Sequence, residues 1–273
     1  MSCLNYIFIL LNKLTLQSGG NEMMKSVFSS LFSFLLLSSV VVQAATISVG
    51  PRGCDHIKIT DALEDAISGD VIKVKSGIYK ERVVVDMPLS LVGVDIGDGA
   101  PIIDAGGAGS AITLSSDGCE LKGFVIKNSG SGKAGIKINS NRNILKENQV
   151  IENKWYGMYL ENSSFNIISG NVIRNNKYGI WFTFDCDHNQ VSRNLLLENS
   201  NYNAMDLGDN LWKENTYGDF DEDDGVYHIP GGSNVDRKPK ATENSATKPS
   251  TAINVKITIP TPIIEVLIHA YVD

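Results

Sequence analysis

Between residues 119 and 210 the apolar positions fall in short patches that recur at fixed intervals. Leu121 and Ile126 are matched by Leu145 and Val150, then by Ile168 and Ile173, then by Val191 and Leu196. After a glycine, each copy alternates apolar and polar residues: Ile136/Ile138, Met158/Leu160 and Ile180/Phe182. Alternation of this kind marks a half-buried strand, and no patch is long enough for a helix. Each copy therefore predicts short strands joined by tight turns.

The polar positions are more regular still. Asn143, Asn148 and Asn153 are spaced by five, as are Asn166, Asn171 and Asn176, and Asn189, Asn194 and Asn199; the triplets follow one another at 23 residues. Five matches neither the helical nor the strand period, but it does match one short strand plus one corner. An earlier, looser copy puts Cys119, Phe124 and Ser129 in the three places, 24 residues before Asn143, Asn148 and Asn153. A second shared block reads "WYGMYLENSS", "YGIWFTFDCD" and "YNAMDLGDN".

A coil of this length cannot bury its apolar residues alone, so it must stack on its neighbours at about 4.8 Å per layer. Parallel stacking places like residues over like, and stacked asparagines can bond amide to amide as a ladder. Asparagine also tolerates left-handed backbone, so the corners are expected at the asparagines themselves. These nine residues read as structural, not catalytic. Upstream, residues 69–94 and 101–116 are strand-rich with Gly/Asp turns and read as less regular coils. Residues 60–67 put Ala62, Leu63, Ala66 and Ile67 on one face, a short helix capping the stack. From about Asp70 to Asn210 the count is about six or seven coils, or about 30 Å of stack.

The ends differ in character. Residues 24–45 have Lys25, an apolar run and Val42-Gln43-Ala44, the pattern of a secretory signal. Residues 1–23 are expected to precede the true start at Met23 or Met24. Residues 46–240 are continuous in style and form the stacked domain. From Ala241 a Ser/Thr/Pro linker leads into a tail of undefined role whose apolar run is broken by Pro260, Pro262 and Glu265, so it is not a membrane span. Cleavage after Ala45 moves the net charge from −7 to −8, with 22 basic residues against 30 acidic ones. An acidic chain with no basic cluster argues against a nucleic-acid partner. Cys54, Cys119 and Cys186 remain; they allow one bridge, or three buried free thiols, the reading adopted here.

These repeats resemble secreted NosD-like, CASH-type β-helix proteins of the pectin-lyase-like superfamily. The opening "SGDVIKVKSGIYKERVVV", with Gly77-x-Tyr79-x-Glu81, is similar to the start of pectin-esterase-like β-helices. The closing "NAMDLGDNLWKENTYGDFDEDDGVYHIPGGSNVDRKP" (203–239) is similar to the group's N-A-x-D, N-x-W and I-P-G-G-S-N-x-D segments. The resemblance implies an all-β fold: a right-handed single-stranded parallel β-helix. It does not by itself give a function.

Candidate sites lie on outward positions. Two residues after the glycine come Lys137, Tyr159 and Trp181, a row whose aromatic rings are suited to stacking on sugar faces. Tyr156, Tyr178 and Tyr202 recur just before the Gly/Asn position and read as turn-packing residues. "FDCDHNQ" gathers Asp185, Asp187 and His188 around Cys186, a weak acid/base or metal candidate in a turn. Asp219, Asp221 and Asp223 have calcium-loop spacing, although the glycine arrives one place late at Gly225. His56, His188, His228 and His269 are scattered without ligand spacing, and no copper site is credited. Asn162 begins a glycosylation sequon. The sequence thus predicts a secreted or surface protein that binds polysaccharide or serves the cell envelope. The alternative is a polysaccharide lyase, hydrolase or epimerase using Asp185 and Asp187. No cofactor is required, with calcium the one candidate.

Overall fold

The computed structural model describes residues 43–242. The segment 1–23, most of the secretory segment at 24–45 and the tail after Thr242 lie outside the described residues.

Each regular coil makes three short strands, as in Ile144–Lys146, Gln149–Ile151 and Tyr156–Leu160. The strands stack into three sheets running the length of the domain. Sheet 1 has ten strands, from Thr46–Val49 to Val235–Asp236, all parallel except Tyr227–His228. Sheet 2 has seven strands, from Ile78–Tyr79 to Thr216–Tyr217, and sheet 3 has six, from Val83–Val85 to Tyr202–Asp206. The chain is a parallel β-helix of about eight coils.

The apolar pattern becomes a set of columns. Leu121, Leu145, Ile168, Val191 and Trp212 stack in sheet 1, and Ile126, Val150, Ile173, Leu196 and Tyr217 in sheet 2. All are buried, each side chain contributing about 1.5–3 kcal/mol of transfer free energy. Over most coils the partner in the next layer is of similar shape, so like side chains pack on like.

The corners differ from expectation. None of the nine ladder asparagines has left-handed backbone. The residue before each takes it instead: Arg142, Glu147 and Glu152 at φ 57°, 53° and 55°, and likewise Phe165, Gly170, Asn175, His188, Arg193 and Glu198. A left-handed residue there reverses the chain so that the following side chain points inward. The asparagine is selected by its amide, not by its backbone freedom. Corner side chains such as Glu147 and Glu152 face solvent.

Inside, the amides form three directional ladders. Asn171 Oδ1 accepts from Asn148 N–H at 3.0 Å and from Asn148 Nδ2 at 3.1 Å. Asn171 Nδ2 donates to Asn194 Oδ1 and, backwards, to the Leu145 carbonyl, each at 3.0 Å. The other two ladders repeat this pattern through Asn143–Asn166–Asn189 and Asn153–Asn176–Asn199. At the first rung the acceptors serve backbone alone: Cys119, Phe124 and Ser129 N–H donate to Asn143, Asn148 and Asn153. Every amide donates toward the C-terminal end, so that end requires pure acceptors.

The closing segment supplies them. Asn210 and Asn215, at an offset of 21 residues, extend the first two ladders. Asn215 then meets the fully buried Asp236 carboxylate, while Asn210 N–H donates to Asn234. The third ladder ends sideways: Asn199 Nδ2 donates to Asn203, and Asn203 Nδ2 to Asp219 at 2.7 Å. Asn203 stands where Gly135, Gly157 and Gly179 stand in earlier coils. A Cβ at those glycines would come within 2.6, 2.9 and 3.0 Å of the ladder amides of Asn153, Asn176 and Asn199. Asp206 accepts from Trp212 Nε1 at 2.7 Å and Asn210 Nδ2 at 2.8 Å, and burial pushes its carboxyl up. The motif at 203–236 is therefore a terminator for the ladders, and antiparallel Tyr227–His228 covers the last edge of sheet 1.

At the other end a helix spans Ile59–Asp65, earlier and shorter than the expected 60–67. Ala62, Leu63 and Ala66 are buried, but Ile67 lies past the helix and is 46% exposed. Lys58 offers the helix no side-chain cap. Glu81 does so instead, accepting from Ile59 N–H, Thr60 N–H and the Thr60 hydroxyl. All three cysteines of the domain are free; Cys119 and Cys186 are buried, whereas Cys54 is only half-buried, because it sits in the loop after the first strand.

Candidate functional site

The outward row predicted on sheet 3 is one register column. Lys137 pairs with Tyr159, Tyr159 with Trp181, and Trp181 with Met205; Thr113 and Val84 precede them. Gly157 and Gly179 lie within strands, so Tyr156, Tyr178 and Tyr202 are the first residues of three sheet-3 strands, not turn residues. They form a second column beside the first.

The rings pack on one another. Tyr156 stacks on Tyr178 at 5.4 Å between centroids, and Tyr178 on Tyr202 at 6.2 Å. Rings stacked along the axis present their edges, not their faces, to the outside. Trp181 is set across the column, edge-on to Tyr156 at 5.6 Å and 66° and to Tyr178 at 5.0 Å and 80°. Trp155, which the sequence reasoning passed over, extends the cluster; the Lys177 ammonium lies 3.5 Å from its ring centre. Tyr159 packs on Tyr156 at 4.7 Å, and burial raises its phenol pKa, with Glu161 adding to the shift. Lys137 is tied to Glu161 at 2.9 Å. Six aromatic side chains thus form one outward platform, with Trp181 the half-buried ring that crosses it.

The residues of the "FDCDHNQ" cluster take separate places in the fold. Asp187 is a rung of a fourth ladder, at the turn between sheets 3 and 1. There Asn141 N–H donates to Asp117, Ser164 N–H to Asn141, Asp187 N–H to Ser164, and Asp209 N–H to Asp187. His188 takes the left-handed corner and stacks on Phe165 at 5.1 Å. Cys186 faces the core, where burial raises its thiol pKa. Asp185 is exposed on the turn.

The acidic loop is likewise taken up by structure. Asp219 accepts from Asn203 and from the Tyr227 hydroxyl, and Asp221 caps the short 3-10 helix Glu222–Asp224 by accepting from Asp223 N–H. Among the described residues no three His, Cys, Asp or Glu side chains converge as a metal site. Asn162 is exposed, as a sequon requires. Among the described residues no helix is long and apolar enough to cross a membrane.

Residues 102–227 match the family model described as "Periplasmic copper-binding protein (NosD)". Among solved structures, the alginate lyase from Paenibacillus sp. str. FPU-7 is similar at 15% identity, covering 67% of this chain and 79% of that one, with a TM-score of 0.48. The pectin methylesterase from Aspergillus niger is similar at 16% identity over 72% of this chain and 80% of that one, with a TM-score of 0.47. No curated protein gives a significant match.

The described residues do not fit a copper ion. His56 pairs with Asp65 at 3.3 Å, His188 is stacked on Phe165, and the thiols of Cys119 and Cys186 are buried with raised pKa, which disfavours the thiolate a metal needs. The match and the architecture together establish that residues 102–227 of this parallel β-helix are similar to the NosD family model.

Proposed function

We propose that this chain is an extracytoplasmic glycan-binding β-helix whose binding face is the outer surface of sheet 3. The observation that carries the reading is the aromatic platform. Trp155, Tyr156, Tyr159, Tyr178, Trp181 and Tyr202 lie on the outside of one sheet, where nothing in the fold requires aromatic side chains. Indole and phenol groups join an apolar body to a polar tip, which suits the C–H faces and hydroxyls of sugars. Trp181 supplies the ring surface, and the tyrosine column supplies hydroxyls at coil spacing. The secretory pattern at 24–45 and the periplasmic description of the matching family support a location outside the cytoplasm.

A glycan-array screen followed by titration of wild type and Trp181→Ala tests the reading. Trp181→Ala is expected to weaken binding by at least about tenfold, or about 1.4 kcal/mol, in a protein that remains folded at the assay temperature. Equal binding by both proteins would overturn the proposal. Reducing-sugar and unsaturated-uronate assays on the same glycans address the enzymatic alternative. Turnover that disappears in Asp185→Ala would replace binding by catalysis. Neither binding nor turnover would point to a structural role in the envelope.

A further inference from the structure

The outer column of sheet 3 does not stop at the aromatic platform. From Trp181 it continues through Tyr159, Lys137 and Thr113 to Val84, four coil steps or about 19 Å. At Val84 it enters a groove of about 370 Å³ between the first sheet-3 strand and the capping helix. The helix contributes Thr60, Leu63 and Glu64 as one wall; Arg82, Val84 and Asp86 line the other side.

The helix makes this groove a terminus and not a passage. The helix lies across the N-terminal end of the stack, and the three bonds from Glu81 fix its first turn in place. At the opposite end the segment at 230–231 packs against the last strand of the sheet: the Pro230 carbonyl accepts from Asp206 N–H, and a Cβ on Gly231 would come within 2.8 Å of Met205 Sδ. Arg82 lies against Gly109 of the next coil, where a Cβ would come within 2.9 Å of its Cδ, and it forms no ion pair among the described residues. Its donors are thus held at the rim with no hydrogen-bond or ion-pair partner among the described residues.

We propose that the groove holds the terminal sugar of a glycan whose chain runs along the outer face of sheet 3 toward Trp181. The inference rests on the glycan-binding reading of that face. Val84, 53% exposed, and Leu63 give an apolar floor for the C–H face of a pyranose. Arg82 donates to its hydroxyls, while the Glu64 and Asp86 carboxylates accept from them. Two carboxylates beside one guanidinium suit a neutral terminal residue better than an anionic one.

The test uses the full chain and three oligosaccharide series, cello-, chito- and galacturono-, from disaccharide to octasaccharide. In the series that binds, affinity rises with length and levels off near the pentasaccharide, when the track from Met205 to Val84 is filled. Val84→Trp, which fills the groove from an exposed position, removes a gain of about tenfold between trisaccharide and pentasaccharide and leaves trisaccharide binding intact. Arg82→Ala weakens the pentasaccharide several-fold and spares the trisaccharide. The long polymer competes in proportion to its chain ends, not its total sugar. Pentasaccharide binding unchanged in both variants, or competition in proportion to total sugar, overturns the end-binding proposal while leaving a platform that Trp181→Ala still disables. If no series binds, the glycan reading fails and this proposal with it.

Discussion

Replacing Asn171 by leucine removes the middle rung of one ladder without altering the outer surface. Asn171 is 1% exposed and makes five ladder bonds with its side chain: two accepted from Asn148, and three donated to Leu145, Ser169 and Asn194. Leucine has a similar size, so the change is chiefly one of polarity. The Asn148 N–H loses its acceptor in the core, which costs about 1–3 kcal/mol. The Leu145 carbonyl and Asn194 Oδ1 each lose a donor, at about 1 kcal/mol apiece. The added apolar burial returns about 1–2 kcal/mol. The net is a loss of about 1–4 kcal/mol, or about 2–16 °C in melting temperature for a domain of this size. Urea denaturation followed by circular dichroism measures it, with the midpoint falling and the slope unchanged. Asn139→Leu, at an exposed position whose side chain makes no described hydrogen bond, is the control and is expected to stay within about 0.5 kcal/mol of wild type. A midpoint for Asn171→Leu equal to that of Asn139→Leu would refute the ladder argument.

Further consequences concern packing, protons and thiols. Gly179→Ala places a methyl group against the Asn203 carbonyl and the Asn199 amide, and is expected to cost about 2–3 kcal/mol by the same denaturation assay; a neutral result would mean the coils yield more easily than described. Burial raises the phenol pKa of Tyr217 and of Tyr227, with Asp236 and Asp219 respectively adding to it. The folded state therefore holds these protons longer than the unfolded chain does. Stability from this source is complete below about pH 10 and falls above it, and a spectrophotometric titration should show both phenols ionising only as the protein unfolds. Two phenols ionising reversibly near pH 10 in a still-folded protein would contradict it. Of the three cysteines of the domain, half-buried Cys54 should react first with a thiol reagent. Cys119 and Cys186, whose thiols are pushed up by burial, should react only on unfolding.

The stack was legible because its period is written twice, once in asparagines and once in apolar pairs. Leu145 and Val150 face inward as their alternation requires, and the sequence offset of the triplets is the register of the sheets. The corners were not legible. A left-handed position tolerated by asparagine and a buried position requiring an amide select the same residue type, and only geometry separates Glu147 from Asn148. The continuation to Asn210 and Asn215 was hidden by the change of offset from 23 to 21, and the terminating role of Asp236 by its distance along the chain. A carboxylate standing where the next asparagine is due is the signal that marks a ladder's end. At the candidate sites, spacing did not show the hydrogen-bond partners that the fold supplies. Asp187 and Asp219 lie near other polar residues in sequence, but the fold turns each toward a neighbouring coil's donors. For the aromatic rows, sequence spacing placed Lys137, Tyr159 and Trp181 on successive coils, and the register agrees. Spacing did not show that Tyr156, Tyr178 and Tyr202 stack on each other and leave Trp181 as the crossing ring.

The most direct test of a glycan face on sheet 3 is hydroxyl-radical footprinting of the full chain, with and without a saturating glycan drawn from the array. Protection is predicted at Trp181, Tyr159 and Tyr202, with none at Phe165 and Ile167, which are exposed on the sheet 1 side. Protection centred on Phe165 and Ile167, with Trp181 unchanged, would contradict the account.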